Sequence, residues 1–227
     1  MNKKTQRIFA TILTVLISIA MIASGFLGYF VNGGMKSADS NNSSATTNAA
    51  ADYQAQKAQI EAMVKQATVD PGNVPLQTAL GDAYYNAGVS AQTVAPADVK
   101  ENFRKAIGPY QIVLKTNKDP KVIVDMATSA FYSGDYDLAE KSFNEALVIK
   151  PDFVTAMFNY GIFLSQAKQD WAGALKQWQK ALPLVQDSSD KKKIQEMISQ
   201  AQSELKSNPA ANGTSNPNPA LNNTTGK

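Results

Sequence analysis

Residues 126–134 read MATSAFYSG, and Ala139, Phe143 and Ala146 follow in the next helix-forming stretch. A large residue beside a very small one, then a ring flanked by small residues, is typical of two closely packed helices. Gly or Ala on one helix leaves room for a bulky ring on the other. Residues 133–136, Ser-Gly-Asp-Tyr, supply a tight turn between them. The stretch therefore predicts an antiparallel helix pair.

The same pattern occurs twice more along the chain. Residues 80–88 read LGDAYYNAG and residues 160–165 read YGIFLS, so Gly81 and Gly161 take the place of Ala127. The step from Ala127 to Gly161 is 34 residues, and an internal repeat of this period predicts stacked helix pairs. The small-and-ring motif of the second helix recurs as Ala106/Tyr110/Val113 and Ala174/Trp178/Ala181.

This repeat resembles the tetratricopeptide repeat over roughly residues 74–186. The resemblance implies an all-α, TPR-like helical-repeat solenoid with about three helix pairs, placed in a domain at 52–206. A leading helix at about 52–69 and a closing helix at about 189–205 would cap the stack. No stretch alternates apolar and polar residues with period two, so we expect no sheet.

Two repeat units depart from the regular spacing. Gly81 to Ala127 is 46 residues, and we expect the excess to form a longer loop around 89–98. The third unit carries one extra residue near 168–171. Asn73 follows a Pro-Gly turn and is expected to cap the helix after it.

The N-terminal end predicts a membrane anchor. Residues 8–31 contain no charge and are long enough, as a helix, to cross a bilayer core of about 30 Å. Lys3, Lys4 and Arg7 precede this segment, so the positive-inside rule leaves residues 1–7 as a cytoplasmic stub and the rest outside the cell membrane. The alternative is a signal peptide cleaved near 23–25, which would give a secreted or surface component.

Two further segments lack any periodic pattern. Residues 32–51 are small and polar, which predicts a flexible linker, and residues 207–227 are rich in Asn, Pro and Gly, which predicts a disordered tail. The repeat domain would thus be tethered to a single-pass membrane helix.

Composition excludes several kinds of chemistry. The chain has no His and no Cys, so a His-containing triad, a His- or Cys-ligated metal and a cysteine nucleophile are impossible within it. The formal net charge of +3 equals the contribution of the three basic residues before the anchor, so the rest is neutral and no nucleic-acid partner is expected. We find no catalytic constellation, metal site or cofactor motif, and we expect a non-enzyme of unknown oligomeric state.

The resemblance implies where a partner would bind. In such repeats the first helix of each pair lines a concave groove that holds a protein or peptide, here an apolar or extended segment. The alternative is that the aromatic members of this set pack against neighbouring helices. The groove-facing positions transferred to this sequence are Thr78, Asp82, Tyr85, Asn86, Val124, Thr128, Phe131, Tyr132, Phe158, Asn159, Ile162 and Ser165.

These observations lead to one functional expectation. The protein is predicted to be a membrane-anchored extracytoplasmic scaffold or adaptor that assembles or stabilises a membrane or envelope complex. The cleaved form described above is the alternative.

Overall fold

A computed structural model describes residues 45–208 of the chain as an array of α-helices without a strand in that range. The predicted stub 1–7, anchor 8–31 and most of the predicted linker and tail lie outside the described residues. Among the helices that are described, none is long and apolar enough to span a bilayer. The helices are α1 Ala45–Val69, α2 Val74–Val94, α3 Val99–Leu114, α4 Pro120–Ser133, α5 Tyr136–Ile149, α6 Val154–Phe163, α7 Trp171–Ala181 and α8 Ser188–Ser207.

The helices pack as three successive pairs with a helix at each end. Helices α2 and α3, α4 and α5, and α6 and α7 form the pairs, while α1 packs on α2 and α8 packs on α7. Helix α3 also packs on α4, which joins the first two pairs. The predicted all-α helical repeat is confirmed for this part of the chain.

Short polar side chains begin most of these helices. Asn73 accepts a hydrogen bond from the backbone N–H of Leu76, as predicted, and Asp135 accepts one from that of Leu138. Each bond satisfies a donor that the first helical turn leaves unpaired. Gly134 has φ of 90° in the predicted turn between α4 and α5, a conformation that favours glycine.

Close contacts between glycines and rings hold the helix pairs together. A Cβ at Gly81 would lie 2.6 Å from the ring of Tyr110, and one at Gly161 would overlap the indole of Trp178. The indole N–H also donates to the backbone oxygen of Phe158 at 3.1 Å. Both predicted pairings between glycine and ring are therefore present.

The predicted loop at 89–98 is wrong. Helix α2 continues to Val94, and only a short 3-10 turn, Pro96–Asp98, separates it from α3. The additional residues are helical because Gly88 lies against the Phe103 ring, at 2.9 Å from a Cβ placed there, and Ala91 is fully buried. The first unit is longer because its helices are longer.

The predicted boundary of the domain at residue 52 also differs from the structure. Helix α1 begins at Ala45, so residues 45–51, which were assigned to a flexible linker, are helical. Alanine is the strongest helix former, and four of these seven residues are Ala. At the other end, α8 begins one residue before and ends two residues after the predicted closing helix 189–205, and Ile194 and Ala201 face inward as expected.

The extra residue of the third unit produces a local change of helix type. After α6 the chain forms a π-helical turn, Leu164–Lys168, and Gln169 then has φ of 55°. A π turn absorbs one residue more than an α turn, so the insertion is accommodated just before the predicted range 168–171, which the turn meets at Lys168.

The buried apolar side chains form two clusters. The larger one extends through α2 to α8 and contains Phe103, Phe143, Phe163 and Trp178. The smaller one lies between α1 and α2, and its largest members are Tyr53, Ile60 and Leu80. Helix α1 is therefore held by fewer apolar contacts than the helices of the repeat.

Candidate protein-binding surface

The first helices of the three pairs present a surface with little charge. We call the solvent-accessible side chains of α2, α4 and α6 the A face. These three helices contain three charged residues, Asp82, Lys121 and Asp125, and the last two form an ion pair with each other. The second helices contain ten charged residues, four on α3, four on α5 and two on α7. The chain thus separates a charge-poor side from a charged one.

The structure divides the predicted groove residues into two groups. Those that are buried, and so cannot touch a partner in this conformation, are Tyr85, Val124, Thr128, Phe158 and Asn159. For Tyr85 and Phe158 the packing alternative therefore describes the structure. Those that remain accessible are Asp82, Phe131, Tyr132 and Ile162, which are half-buried, and Asn86, which is exposed.

An aromatic row connects the first pair to the third. The ring of Phe103 lies 5.4 Å from Tyr85 and 4.9 Å from Tyr132, measured between centroids. Phe131 continues the row, 4.6 Å from Tyr132 and 5.6 Å from Phe163. Because Phe131 and Tyr132 are only half-buried, they form an accessible aromatic pair at the C-terminal end of α4.

Polar side chains form a second row, which is partly buried, along the first helices. The Tyr110 hydroxyl donates to Oδ1 of Asp82 at 2.9 Å. On α4, Lys121 Nζ lies 3.0 Å from Oδ2 of Asp125, whose side chain is only 6% exposed. Burial raises the pKa of Asp125 to about 6, although Lys121 opposes the shift, and the nearby charges of Asp82 and Asp119 add to it.

One bond in this row joins the second pair to the third. The side-chain amide of Asn159 on α6 donates to the hydroxyl of Thr128 on α4 at 3.2 Å. Both side chains are buried, so each needs a partner inside the protein. Their role in this structure is to hold α4 and α6 together.

A cleft between α1 and α2 extends the accessible surface. It has a volume of about 360 Å³. Two predicted groove residues line it, Asp82 and Asn86, and the opposite wall comes from α1, which the sequence indicated only as a cap. The lining residues are Gln56, Gln59, Met63, Ala79, Asp82, Ala83 and Asn86.

Residues 45–208 contain no group of three or more acidic side chains placed to hold a metal ion. The arrangement offers polar and aromatic side chains on helices that are fixed by packing. Such a surface suits noncovalent binding of another chain.

No protein-family model matches the sequence. One curated relative, the Photosystem I assembly protein Ycf3 of Acaryochloris marina (strain MBIC 11017), is 29% identical over 85 residues. The alignment covers 36% of this chain and 48% of the relative, so the chain spans about half the length of the relative that it matches.

Two solved structures, both of MamA protein, are similar at 12% identity. Their TM-scores are 0.45 and 0.40, and they cover 76% and 66% of this chain and 98% and 89% of the MamA chains. These scores are too low to bear on function. The helix pairing and the glycine–ring contacts of the chain itself show an all-α helical repeat over the described residues, the architecture that the sequence predicts.

Proposed function

We propose that this protein is a scaffold that binds a partner protein through the A face while its N-terminal segment holds it to the outer side of a cell membrane. The observation that carries the proposal is the unequal distribution of charge between first and second helices. Depletion of charge at the centre of a surface, with aromatic residues present, is typical of protein interfaces. The second helices carry the charges that keep a folded domain soluble.

The accessible side chains on the A face match an extended partner segment that carries few charges. Phe131 and Tyr132 provide apolar contact area, and each side chain has few rotatable bonds, so little conformational freedom is lost on binding. Such aromatic side chains are typical anchors of protein interfaces. Asn86 can both donate to and accept from a peptide backbone. The curated relative is named an assembly protein, and an assembly role for this chain is the form of scaffold function that we propose.

The membrane part of the proposal depends on the uncharged segment 8–31 and on Lys3, Lys4 and Arg7 before it. Protease added to sealed cells is expected to remove everything after about residue 32 while a cytoplasmic control protein survives. Complete protection of the repeat domain, with an external control digested, would contradict this topology. A mature N-terminus near residues 24–26 would instead favour the released surface component.

Binding through the A face is tested by photo-crosslinking in intact cells. A photoreactive amino acid at Asn86, exposed on α2, is expected to capture one defined protein. The matched control places the same amino acid at Lys141, exposed on α5. Capture from position 141 but not from 86 would show that the second helices carry the interface and would refute the proposal.

A further inference from the structure

Asp82 is the half-buried carboxylate of the cleft between α1 and α2. It accepts a hydrogen bond from Tyr110 on Oδ1, and it forms no salt bridge with any residue of the described range. A carboxylate oxygen can accept more than one hydrogen bond, so Oδ2 retains its full capacity. Such a group, held in place by a buried tyrosine, is a preorganised acceptor.

Negative side chains outnumber positive ones around Asp82. Asp82, Asp119 and Asp125 lie near a single cation, Lys121, which pairs with Asp125. The negative charge of Asp82 acts on buried groups, since it contributes to the raised pKa of both Asp125 and Tyr110. A positive charge placed in the cleft would offset this excess.

The walls of the cleft have the composition that a long basic side chain requires. Met63, Ala79 and Ala83 provide apolar area for an alkyl stem. Gln59 and Asn86 line the same cleft, and each carries an amide oxygen that can accept a hydrogen bond. Gln56 also lines the cleft, and its Oε1 is buried without a hydrogen-bond partner, so rotation of this amide toward an incoming N–H would satisfy it.

We propose that the cleft binds the side chain of an arginine that belongs to the partner protein. The guanidinium pairs with Asp82 and donates further hydrogen bonds to the amide oxygens, while its stem lies on Met63, Ala79 and Ala83. Arginine fits better than lysine because its planar group carries five N–H donors in a fixed arrangement, and several hydrogen-bond acceptors line the cleft. The inference rests on the proposed function only in assigning the arginine to a partner protein.

The test uses the full-length protein, kept in solution by a non-ionic detergent, and two five-residue peptides. One has a central arginine among alanines and serines, and the other has citrulline, the neutral isostere, in its place. Side-chain amide signals of Gln59 and Asn86 are followed by NMR during titration. We expect the arginine peptide to shift both signals to saturation and to bind about fivefold or more tightly than the citrulline peptide.

The variant Asp82→Asn is expected to remove the preference for arginine. It keeps an oxygen that accepts from Tyr110, so the fold should persist, and the dispersion of the amide spectrum checks this. Asp152→Asn, an exposed carboxylate outside the cleft, is the matched control and should bind like the wild type. Equal affinity for both peptides, or an unchanged preference in Asp82→Asn, would overturn the inference.

This experiment is separate from the test of the A face. Capture of a partner from position 86 does not require an arginine. If photo-crosslinking succeeds and the peptides bind alike, the A face remains the interface and the arginine site is wrong. If the arginine peptide binds selectively and no partner is captured, the cleft stands and the scaffold proposal fails.

Discussion

Single residues without a side chain determine how closely the helices of this domain approach each other. Gly81, Gly88 and Gly161 each lie against a ring, and no atom could be added to them without moving that ring. The first and third of these contacts follow from the repeat pattern. The Gly88 contact with Phe103 was missed, because Gly-Val-Ser in the sequence equally indicates the end of a helix.

The contact at position 161 predicts a large effect from a single methyl group. Gly161→Ala should lower the free energy of unfolding by about 1–3 kcal/mol, since a Cβ there overlaps the Trp178 indole, which is fully buried and cannot move aside. Chemical denaturation measures the change. Gly72→Ala is the control, because a Cβ at Gly72 meets no atom within 4 Å, and a similar loss in that variant would contradict the assignment.

The buried carboxylate of Asp125 predicts a dependence of stability on pH. Burial raises its pKa from the ordinary value of 3.8 to about 6, so the folded state holds the proton more tightly than the unfolded chain does. The contribution of this group to stability is therefore complete below pH 4 and is lost as the pH rises to about 6. The full shift corresponds to roughly 3 kcal/mol.

The comparison that isolates this contribution is with Asp125→Asn, which stays uncharged at every pH. The free energy of unfolding of the wild type minus that of the variant should fall between pH 4 and pH 6. Exposed carboxylates with lowered pKa, such as Asp98 and Glu101, act in the opposite direction but cancel in this difference. Parallel stability curves for the two proteins would show that Asp125 does not titrate in this range.

At the scale of elements, the sequence predicted helix existence and pairing better than helix length. The pairs α4–α5 and α6–α7 follow from the regular step of 34 residues, and the π turn at Leu164–Lys168 ends where the predicted range of the extra residue, 168–171, begins. The extra residues of the first unit could equally form a loop or longer helices. Only the packing of Ala91 and Gly88 shows which of these occurs.

The candidate site was predictable in outline and not in detail. The sequence indicated which helices face a partner, but burial of Tyr85 and Phe158 depends on rings contributed by other helices, such as Phe103. Periodicity shows which side chains share a helix face, and it does not show how much of that face a neighbouring helix covers. The cleft was missed because its second wall is α1, which lies outside the repeat.

At the C-terminal end of α4, a substitution is expected to weaken partner binding while the domain stays folded. Phe131→Ala should abolish or strongly weaken capture of the crosslinked partner, as loss of an aromatic anchor costs about 2 kcal/mol or more, while the half-buried ring is less important for the fold. Phe143→Ala, at a fully buried position, should lower the free energy of unfolding by about 3–5 kcal/mol.

Crosslinking yield and chemical denaturation, measured on both variants, decide this comparison. If a well-folded Phe131→Ala variant captures the partner as the wild type does, the aromatic pair is not part of the interface. Charged positions on α3, α5 and α7 would then be examined.

At the scale of the whole molecule, each helix pair of a repeat array is stabilised mainly by the pairs next to it. Helix α1 lies at one end and packs on α2, with a link to the start of α3. The Tyr53 hydroxyl donates to Asp98 Oδ2 at 2.9 Å and accepts from the Asn102 amide at 2.9 Å. This pair of bonds fastens α1 to the first unit.

Hydrogen exchange measured on the full-length chain should detect this arrangement. Backbone amides of α1 are expected to exchange faster than those of α4 to α7, because α1 buries few side chains. Tyr53→Phe should accelerate exchange in α1 by about fivefold or more, since Asn102 loses its buried partner at a cost of about 1–3 kcal/mol. Equal acceleration in α6 and α7 would mean that the domain opens as one unit.

The scarcity of charge on the A face also limits how fast a partner can arrive. Without a strong electrostatic field, association is expected at the unsteered rate of about 10⁵–10⁶ M⁻¹s⁻¹ and to respond weakly to ionic strength. Differences in affinity between partners are then expected to lie in the dissociation rate and not in the association rate. Under the proposed membrane anchoring, and with a partner held on the same membrane, both molecules would search in two dimensions and remain close together between collisions, so slow encounters would limit assembly less.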